Sequence, residues 1–152
     1  VELCGVLKNI IAIAAGALSG MGFGENARAL LVSRGMVEMI HLGQSLGGNT
    51  EAFIGLAGIG DLVATSSSVH SRNFTVGYRL AKGELLADIL ATMKEVAEGV
   101  NTVRVVKLLS NQLPTRAPIS EMLFRVLYDE LAPTEAMQYL MKYPFQTDVD
   151  FL

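Results

Sequence analysis

The sequence predicts an all-α fold, a single compact domain of about seven or eight helices. Three observations support this fold class. Apolar residues recur at spacings of three and four along most of the chain, and no segment alternates apolar and polar residues for long enough to predict a strand. Glycines and prolines interrupt the pattern at intervals. The chain has 152 residues, which matches the size of one domain.

The first predicted helix covers residues 1–18 and is apolar on every side, which is typical of a buried helix. Three glycines, at positions 20, 22 and 24, separate it from a second helix. That helix is predicted to begin at Glu25, to carry Arg34, Glu38 and His41 on a polar face, and to end at a pair of glycines at 47 and 48. A short helix is predicted to follow, through Leu56.

Amphipathic patterns with recognisable caps continue to the end of the chain. Ser71 occupies the N-cap position of a helix predicted to end at Gly83, and residues 86–93 form the next. Asn101 is predicted to cap the helix after that. Prolines mark the last two helices, one after Pro118 and one from Pro133 to Pro144.

Composition excludes several classes of function. The net charge of -3 and the lack of a basic run argue against nucleic acid as a ligand. The longest apolar run, Ile10–Leu18, is about half the length of a membrane span. The single cysteine, Cys4, excludes an intrachain disulfide and favours the cytoplasm, with its thiol buried as a small hydrophobe. The chain begins with Val-Glu-Leu, so we expect it to be part of a longer protein.

Between Glu2 and Ser19, Lys8 and Asn9 are the only strongly polar residues of the first, otherwise apolar helix. An ammonium group is costly to remove from water unless it has a partner. Two interpretations remain open at this point. Either Lys8 lies over a groove and extends its amino group to water, or it lines a cleft and serves as an acid, a base or an anion anchor.

Asp61 is the only charged residue between positions 53 and 64, in surroundings rich in glycine and apolar residues. Two isolated opposite charges in two apolar segments are most economically satisfied by each other. We therefore predict that Asp61 lies close to Lys8, in direct or water-bridged contact. The alternative is that Asp61 only caps the next helical turn.

A candidate anion site follows at Ser71, Arg72 and Asn73. The free N–H groups and the dipole at a helix start favour an anion, and a guanidinium group matches the geometry of phosphate. The alternative is an arginine that is simply solvated. His70 has no cysteine or second histidine at ligand spacing, so no metal site is predicted. Gly58 and Gly60 lack the third glycine of a dinucleotide fingerprint, so no Rossmann-type binding by this chain alone is predicted.

These positions together resemble the C-terminal substrate domain of bacterial-type NAD(P)-dependent glycerol-3-phosphate dehydrogenases. The resemblance is carried by residues 1–9, which end in Leu-Lys-Asn, and by residues 26–29, 55–73 and 95–100. The combination of Leu-Lys-Asn with Gly-Asp-Leu and Ser-Arg-Asn at this separation is specific. It implies a fold like the C-terminal domain of 6-phosphogluconate dehydrogenase. It also implies NAD(H) or NADP(H) as the cofactor, bound mainly by an N-terminal Rossmann domain outside residues 1–152.

The resemblance implies roles for individual residues. Lys8 corresponds to the catalytic lysine, which handles the proton of the secondary hydroxyl at carbon 2 of glycerol 3-phosphate. Substrate contacts are implied for Lys8, Asn9, Asp61, Thr65, Ser71, Arg72 and Asn73. Cofactor contacts are implied for Arg72, Val96 and Glu98.

The function implied is that of a substrate-binding and catalytic domain. Its parent enzyme would interconvert sn-glycerol 3-phosphate, a small phosphorylated triol, and dihydroxyacetone phosphate in the cytoplasm, feeding glycerophospholipid synthesis. Its partner would be the Rossmann domain of the same parent chain, and we expect the fragment alone to be inactive. The apolar composition is compatible with a homodimer. Two alternatives remain: the helical domain of a related hydroxyacid dehydrogenase, and a non-catalytic dimerisation domain.

Overall fold

The computed structural model describes residues 2–51 and 55–143. Within these ranges it contains eight α-helices, one π-helical turn and no strand. The elements are α1 (Glu2–Gly20), α2 (Glu25–Ser45), the π-helical turn (Leu56–Gly60), α3 (Asp61–Ser67), α4 (Arg72–Ala81), α5 (Leu86–Thr92), α6 (Glu98–Ser110), α7 (Pro118–Tyr128) and α8 (Pro133–Lys142). The predicted all-helical class is confirmed.

Most predicted helix limits agree with the structure. Helix α2 begins at Glu25, and the Ser71 hydroxyl caps α4 by accepting from the Phe74 N–H at 3.3 Å. The prediction for Asn101 is wrong, because α6 already begins at Glu98. The predicted short helix before Leu56 and the end at Pro144 involve residues outside the described ranges.

Helix α1 is the centre of the domain and packs against α2, α3, α4, α6 and α7. Most of its apolar residues are buried, as the sequence predicted, although Val6 is 48% exposed. The buried set includes Cys4, Leu7, Ile10, Ile11, Ala12, Ile13, Ala15 and Leu18. Burial raises the pKa of the Cys4 thiol, which therefore stays protonated. Over the described residues, no helix combines the length and apolar character needed to cross a bilayer.

Helices α1 and α4 approach each other so closely that glycine is required on both. A Cβ atom on Gly16 would lie 2.0 Å from the Phe74 carbonyl oxygen. One on Gly77 would lie 1.8 Å from the carbonyl oxygen of Ile13. Real Cβ contacts are never this short, so any side chain would force the two backbones apart. The glycines thereby fix where the start of α4 lies relative to α1.

Glu38 of α2 is buried and caps the start of α7 from outside that helix. Its carboxylate accepts from the N–H of Ile119 at 2.8 Å and from the N–H and hydroxyl of Ser120 at 2.9 and 2.6 Å. The sequence placed Glu38 on a polar face, and the structure instead leaves it only 5% exposed. Burial raises the pKa of Glu38 and the hydrogen bonds lower it, and the net result is a pKa of about 6.

Candidate active site

Lys8 and Asp61 form an ion pair in which the lysine amino group donates to Oδ2 of the aspartate. Lys8 comes from the second turn of α1, and Asp61 comes from the first residue of α3. The side chains are 22% and 44% exposed, so the pair lies at the edge of the core and remains open to solvent. The predicted contact is confirmed. Lys8 therefore does not simply extend into water, and Asp61 does more than begin a helix.

A pocket of about 310 Å³ lies beside this pair, and most of the predicted site residues line it. The lining residues are Lys8, Asn9, Thr65, His70, Ser71, Arg72, Asn73 and Glu98. They come from α1, α3, the turn before α4, the first turn of α4 and the start of α6. Asp61 reaches the pocket through Lys8. Val96 is not among the lining residues, but it lies two positions before Glu98 and is 72% exposed.

The first turn of α4 shows how differently neighbouring residues can be held. Arg72 is half exposed, and its Nη1 donates to the carboxylate of Glu95 in the loop before α6. Asn73 is 8% exposed, and its Oδ1 accepts from the N–H of Gly99 at 2.8 Å. Asn73 therefore supplies the cap that α6 lacks in its own sequence, which explains why that helix starts before Asn101.

Asn9 connects α1 to the start of α6. Its Nδ2 lies 3.4 Å from Oε2 of Glu98, at the long end of hydrogen-bond geometry. A Cβ atom on Gly99 would meet the Asn9 carbonyl oxygen at 2.8 Å and Asn73 Oδ1 at 2.7 Å. The three segments that carry Asn9, Asn73 and Glu98 therefore pack tightly around Gly99, next to the pocket.

A larger pocket, of about 590 Å³, lies between α2 and residues 114–118. It contains none of the predicted site residues, and Glu38 in its wall is committed to capping α7. We assign the site to the smaller pocket because cations, carboxylates and a helix start converge there. Among the described residues no group of histidine, cysteine and carboxylate side chains could hold a metal ion.

Sequence reasoning missed two residues of this site. His70 lines the pocket, although its sequence context bears only on metal binding. Glu95 pairs with Arg72, although the resemblance, which includes residues 95–100, implies no contact for it. Both are exposed side chains on loops, where no periodic pattern marks them. A search for carboxylates close to the motif arginine in space would have found Glu95.

Lys8, Arg72 and the start of α4 thus lie around one pocket, with Lys8 paired to Asp61. Residues 1–138 match the family described as NAD-dependent glycerol-3-phosphate dehydrogenase C-terminus. The chain belongs to this family.

Similar full-length proteins extend well beyond this chain. It is 51% identical to a glycerol-3-phosphate dehydrogenase [NAD(P)+] of Solidesulfovibrio magneticus, over 93% of this chain and 43% of that protein. It is 48% identical to that of Geobacillus thermodenitrificans, over 93% of this chain and 41% of that protein. The chain thus spans less than half the length of these relatives.

Solved structures show the same fold. The crystal structure of glycerol-3-phosphate dehydrogenase from Coxiella burnetii superposes with a TM-score of 0.89 at 37% identity, over 93% of this chain and 44% of that one. The glycerol-3-phosphate dehydrogenase of Plasmodium falciparum superposes with a TM-score of 0.78 over 96% of this chain and 43% of that one. The latter identity is 19%, so that likeness concerns the fold alone.

Proposed function

We propose that residues 1–152 are the substrate-binding and catalytic domain of an NAD(P)-dependent glycerol-3-phosphate dehydrogenase. The main support for this proposal is the Lys8–Asp61 pair, which lies beside a pocket lined by the start of a helix and by an arginine. Family membership supports it over the hydroxyacid-dehydrogenase and dimerisation alternatives. The complete enzyme would also need an N-terminal Rossmann domain, which is consistent with the greater length of the relatives.

Lys8 is proposed to transfer the proton of the reaction. In the oxidation of glycerol 3-phosphate, a neutral Lys8 amine takes the proton from the hydroxyl at carbon 2, and the hydrogen on that carbon leaves as a hydride. In the reduction of dihydroxyacetone phosphate, the Lys8 ammonium returns the proton to the carbonyl oxygen as the hydride arrives at carbon 2. Positioned proton transfer of this kind contributes about 10²- to 10⁴-fold in rate. Asp61 holds the lysine in place for both directions.

The phosphate group is proposed to bind at the start of α4. Arg72 offers a guanidinium group, and the first backbone N–H groups of a helix lack acceptors within the helix. The Ser71 hydroxyl oxygen accepts a hydrogen bond from the Phe74 N–H, so the hydroxyl hydrogen can still be donated to a phosphate oxygen. Thr65 and Asn9 line the same pocket and are proposed to contact the substrate hydroxyl groups. Binding the phosphate away from carbon 2 provides energy for orientation.

The residues beside the pocket fit a nicotinamide cofactor. Val96 presents an uncovered apolar side chain, and the nearby Glu98 carboxylate can accept hydrogen bonds from ribose or amide groups. When bound, the nicotinamide accepts or supplies the hydride. Arg72 contacts Glu95 in the loop before α6 and also lines the pocket, so it can contact either the cofactor or the substrate.

We also propose that the enzyme works in the cytoplasm as a homodimer and that its product feeds glycerophospholipid synthesis.

Turnover by the longer protein that contains this chain tests the proposal. Oxidation of NADH and of NADPH would be followed with dihydroxyacetone phosphate, and with 2-keto acids as competing acceptors. We expect turnover with dihydroxyacetone phosphate and at least tenfold lower kcat/KM with the acids. A preference for an acid would favour the related-dehydrogenase alternative. Residues 1–152 alone should show no turnover, since the cofactor is held mainly by the other domain.

A further inference from the structure

The pocket contains three basic side chains, and two of them are already neutralised. Lys8 is paired with Asp61, and Arg72 is paired with Glu95. His70 is the third, and it has no hydrogen-bond or ion-pair partner in the described part of the chain. An anion that enters the pocket can therefore reach His70 without displacing a carboxylate.

The charge balance of the pocket favours a further donor for an anionic ligand. The two cations Lys8 and Arg72 stand against three carboxylates, those of Asp61, Glu95 and Glu98. A phosphate monoester carries between one and two negative charges near pH 7. Such a ligand needs donors beyond the two paired cations, and the chain can supply them only from backbone N–H groups and from side chains that are still free.

The backbone places His70 next to those N–H groups. His70 directly precedes Ser71, the N-cap of the ten-residue helix α4. The turn that contains it is closed by a hydrogen bond from the Ser71 N–H to the Ser68 carbonyl at 3.1 Å. The imidazole is thus at the rim of the pocket, on the side where the helix start favours an anion.

We infer that His70 is a third anion-binding side chain of this pocket and donates a hydrogen bond to the phosphate group of the substrate. This inference rests on the proposed function and specifies its phosphate subsite. His70 contributes to affinity for the phosphorylated substrate and has no part in proton transfer at carbon 2, which belongs to Lys8. It therefore determines specificity for a phosphate ester over an uncharged triose.

The kinetic test compares His70→Ala with His41→Ala in the longer protein. The chain contains only these two histidines, and His41 lines the separate pocket between α2 and residues 114–118. We expect His70→Ala to raise KM for dihydroxyacetone phosphate about three- to tenfold, the worth of one hydrogen bond, with kcat within about twofold. His70→Gln, which retains a donor, should recover part of the loss. His41→Ala should change neither constant.

Unphosphorylated dihydroxyacetone separates phosphate binding from a general disturbance of the site. Its kcat/KM should be the same in wild type and His70→Ala. The inference is overturned if KM for the phosphate ester is unchanged in His70→Ala. It is also overturned if kcat/KM falls as much for dihydroxyacetone as for the phosphate ester, or if His41→Ala raises KM by the same factor.

A binding measurement keeps the inference testable if the wild-type protein reduces no triose phosphate. The imidazole resonances of the ¹⁵N-labelled longer protein would be followed during titration with inorganic phosphate and with glycerol 3-phosphate. A shift of the His70 resonances alone supports an anion site whatever the reaction is. Unmoved His70 resonances at saturating glycerol 3-phosphate overturn the inference.

Discussion

Asp61 and Glu38 are two carboxylates that the structure holds in opposite ways. Asp61 is 44% exposed and has one charged partner, the amino group of Lys8. Glu38 is 5% exposed and accepts three hydrogen bonds, two of them from backbone N–H groups. A carboxylate held by backbone groups fixes a helix. Asp61, which is held by one side chain at a pocket, orients the lysine that is proposed to transfer the proton.

Replacing Lys8 should give the largest effect and should affect chemistry alone. In the longer protein, Lys8→Ala is expected to lower kcat for dihydroxyacetone phosphate by at least about 10²-fold, because proton transfer is lost. The free energy of unfolding should change by less than about 1 kcal/mol, since the ion pair is partly solvated. Stopped-flow or steady-state cofactor oxidation and urea denaturation measure the two quantities. A Lys8→Ala variant that is unfolded, or that retains more than a tenth of wild-type kcat, would contradict the view that the Lys8–Asp61 pair serves the reaction and not the fold.

Removing the Glu38 carboxylate should affect stability alone. Glu38→Ala leaves the N–H groups of Ile119 and Ser120 without their acceptor, which should cost about 2 kcal/mol of unfolding free energy at pH 5. Urea denaturation measures this loss. The KM and kcat of the folded variant should equal those of wild type, because Glu38 lies outside the active-site pocket. A tenfold fall in kcat of the folded variant would be inconsistent with a purely structural role.

The same residue predicts a dependence of stability on pH. Burial raises the pKa of Glu38 from 4.5 to about 6, so the folded protein binds this proton more tightly than the unfolded chain does. Its contribution to stability is complete below pH 4.5 and is lost as the pH rises through about 6, to a total of about 2 kcal/mol. Glu38→Gln removes this titration. The difference in unfolding free energy between wild type and Glu38→Gln should therefore shift in favour of the variant between pH 4.5 and 7.

Asn73 lies at the proposed site, as Asp61 does, and also caps a helix, as Glu38 does. Its variants can therefore separate an effect on binding from an effect on stability. It lines the pocket, yet its Oδ1 accepts from the buried N–H of Gly99. Asn73→Ala should cost about 1 kcal/mol of stability and should raise KM. Asn73→Asp keeps an acceptor for Gly99 and adds a negative charge near the phosphate, so stability should stay closer to wild type while KM still rises. Equal losses of stability in both variants would argue against the capping role.

The smallest effect is expected at Glu95, whose pair with Arg72 is the more exposed of the two ion pairs at the site. Glu95→Gln should lower KM for dihydroxyacetone phosphate by less than about fivefold, because a carboxylate near the phosphate is removed but water screens it. Glu84→Gln is the matched control, since Glu84 binds Arg79 outside the pocket. A tenfold change in kcat for Glu95→Gln would mean that Glu95 takes a direct part in the reaction.

The sequence predicted the fold class and the Lys8–Asp61 contact for one reason. Isolated charges and periodic apolar residues are local signals that survive in a single chain. The cap of α7 by Glu38 and the cap of α6 by Asn73 join residues far apart in sequence, so no local pattern announces them. The helical pattern alone therefore places Glu38 with Arg34 and His41 on a polar face. The hydrogen bond from the Gly99 N–H to Asn73 likewise explains why α6 begins before the predicted cap at Asn101.

The close contact of α1 and α4 at their glycines fixes the distance between two of the proposed site residues. Lys8 lies eight residues before Gly16, about 12 Å along the same rigid helix, and Arg72 opens the helix that Gly77 presses against α1. The two helices cannot slide or separate without breaking this contact. Lys8 and Arg72 are therefore held at a fixed separation, and this separation would set the length of a substrate that spans the proposed hydroxyl and phosphate subsites. The separation depends on Gly16 and Gly77, which line no part of the pocket.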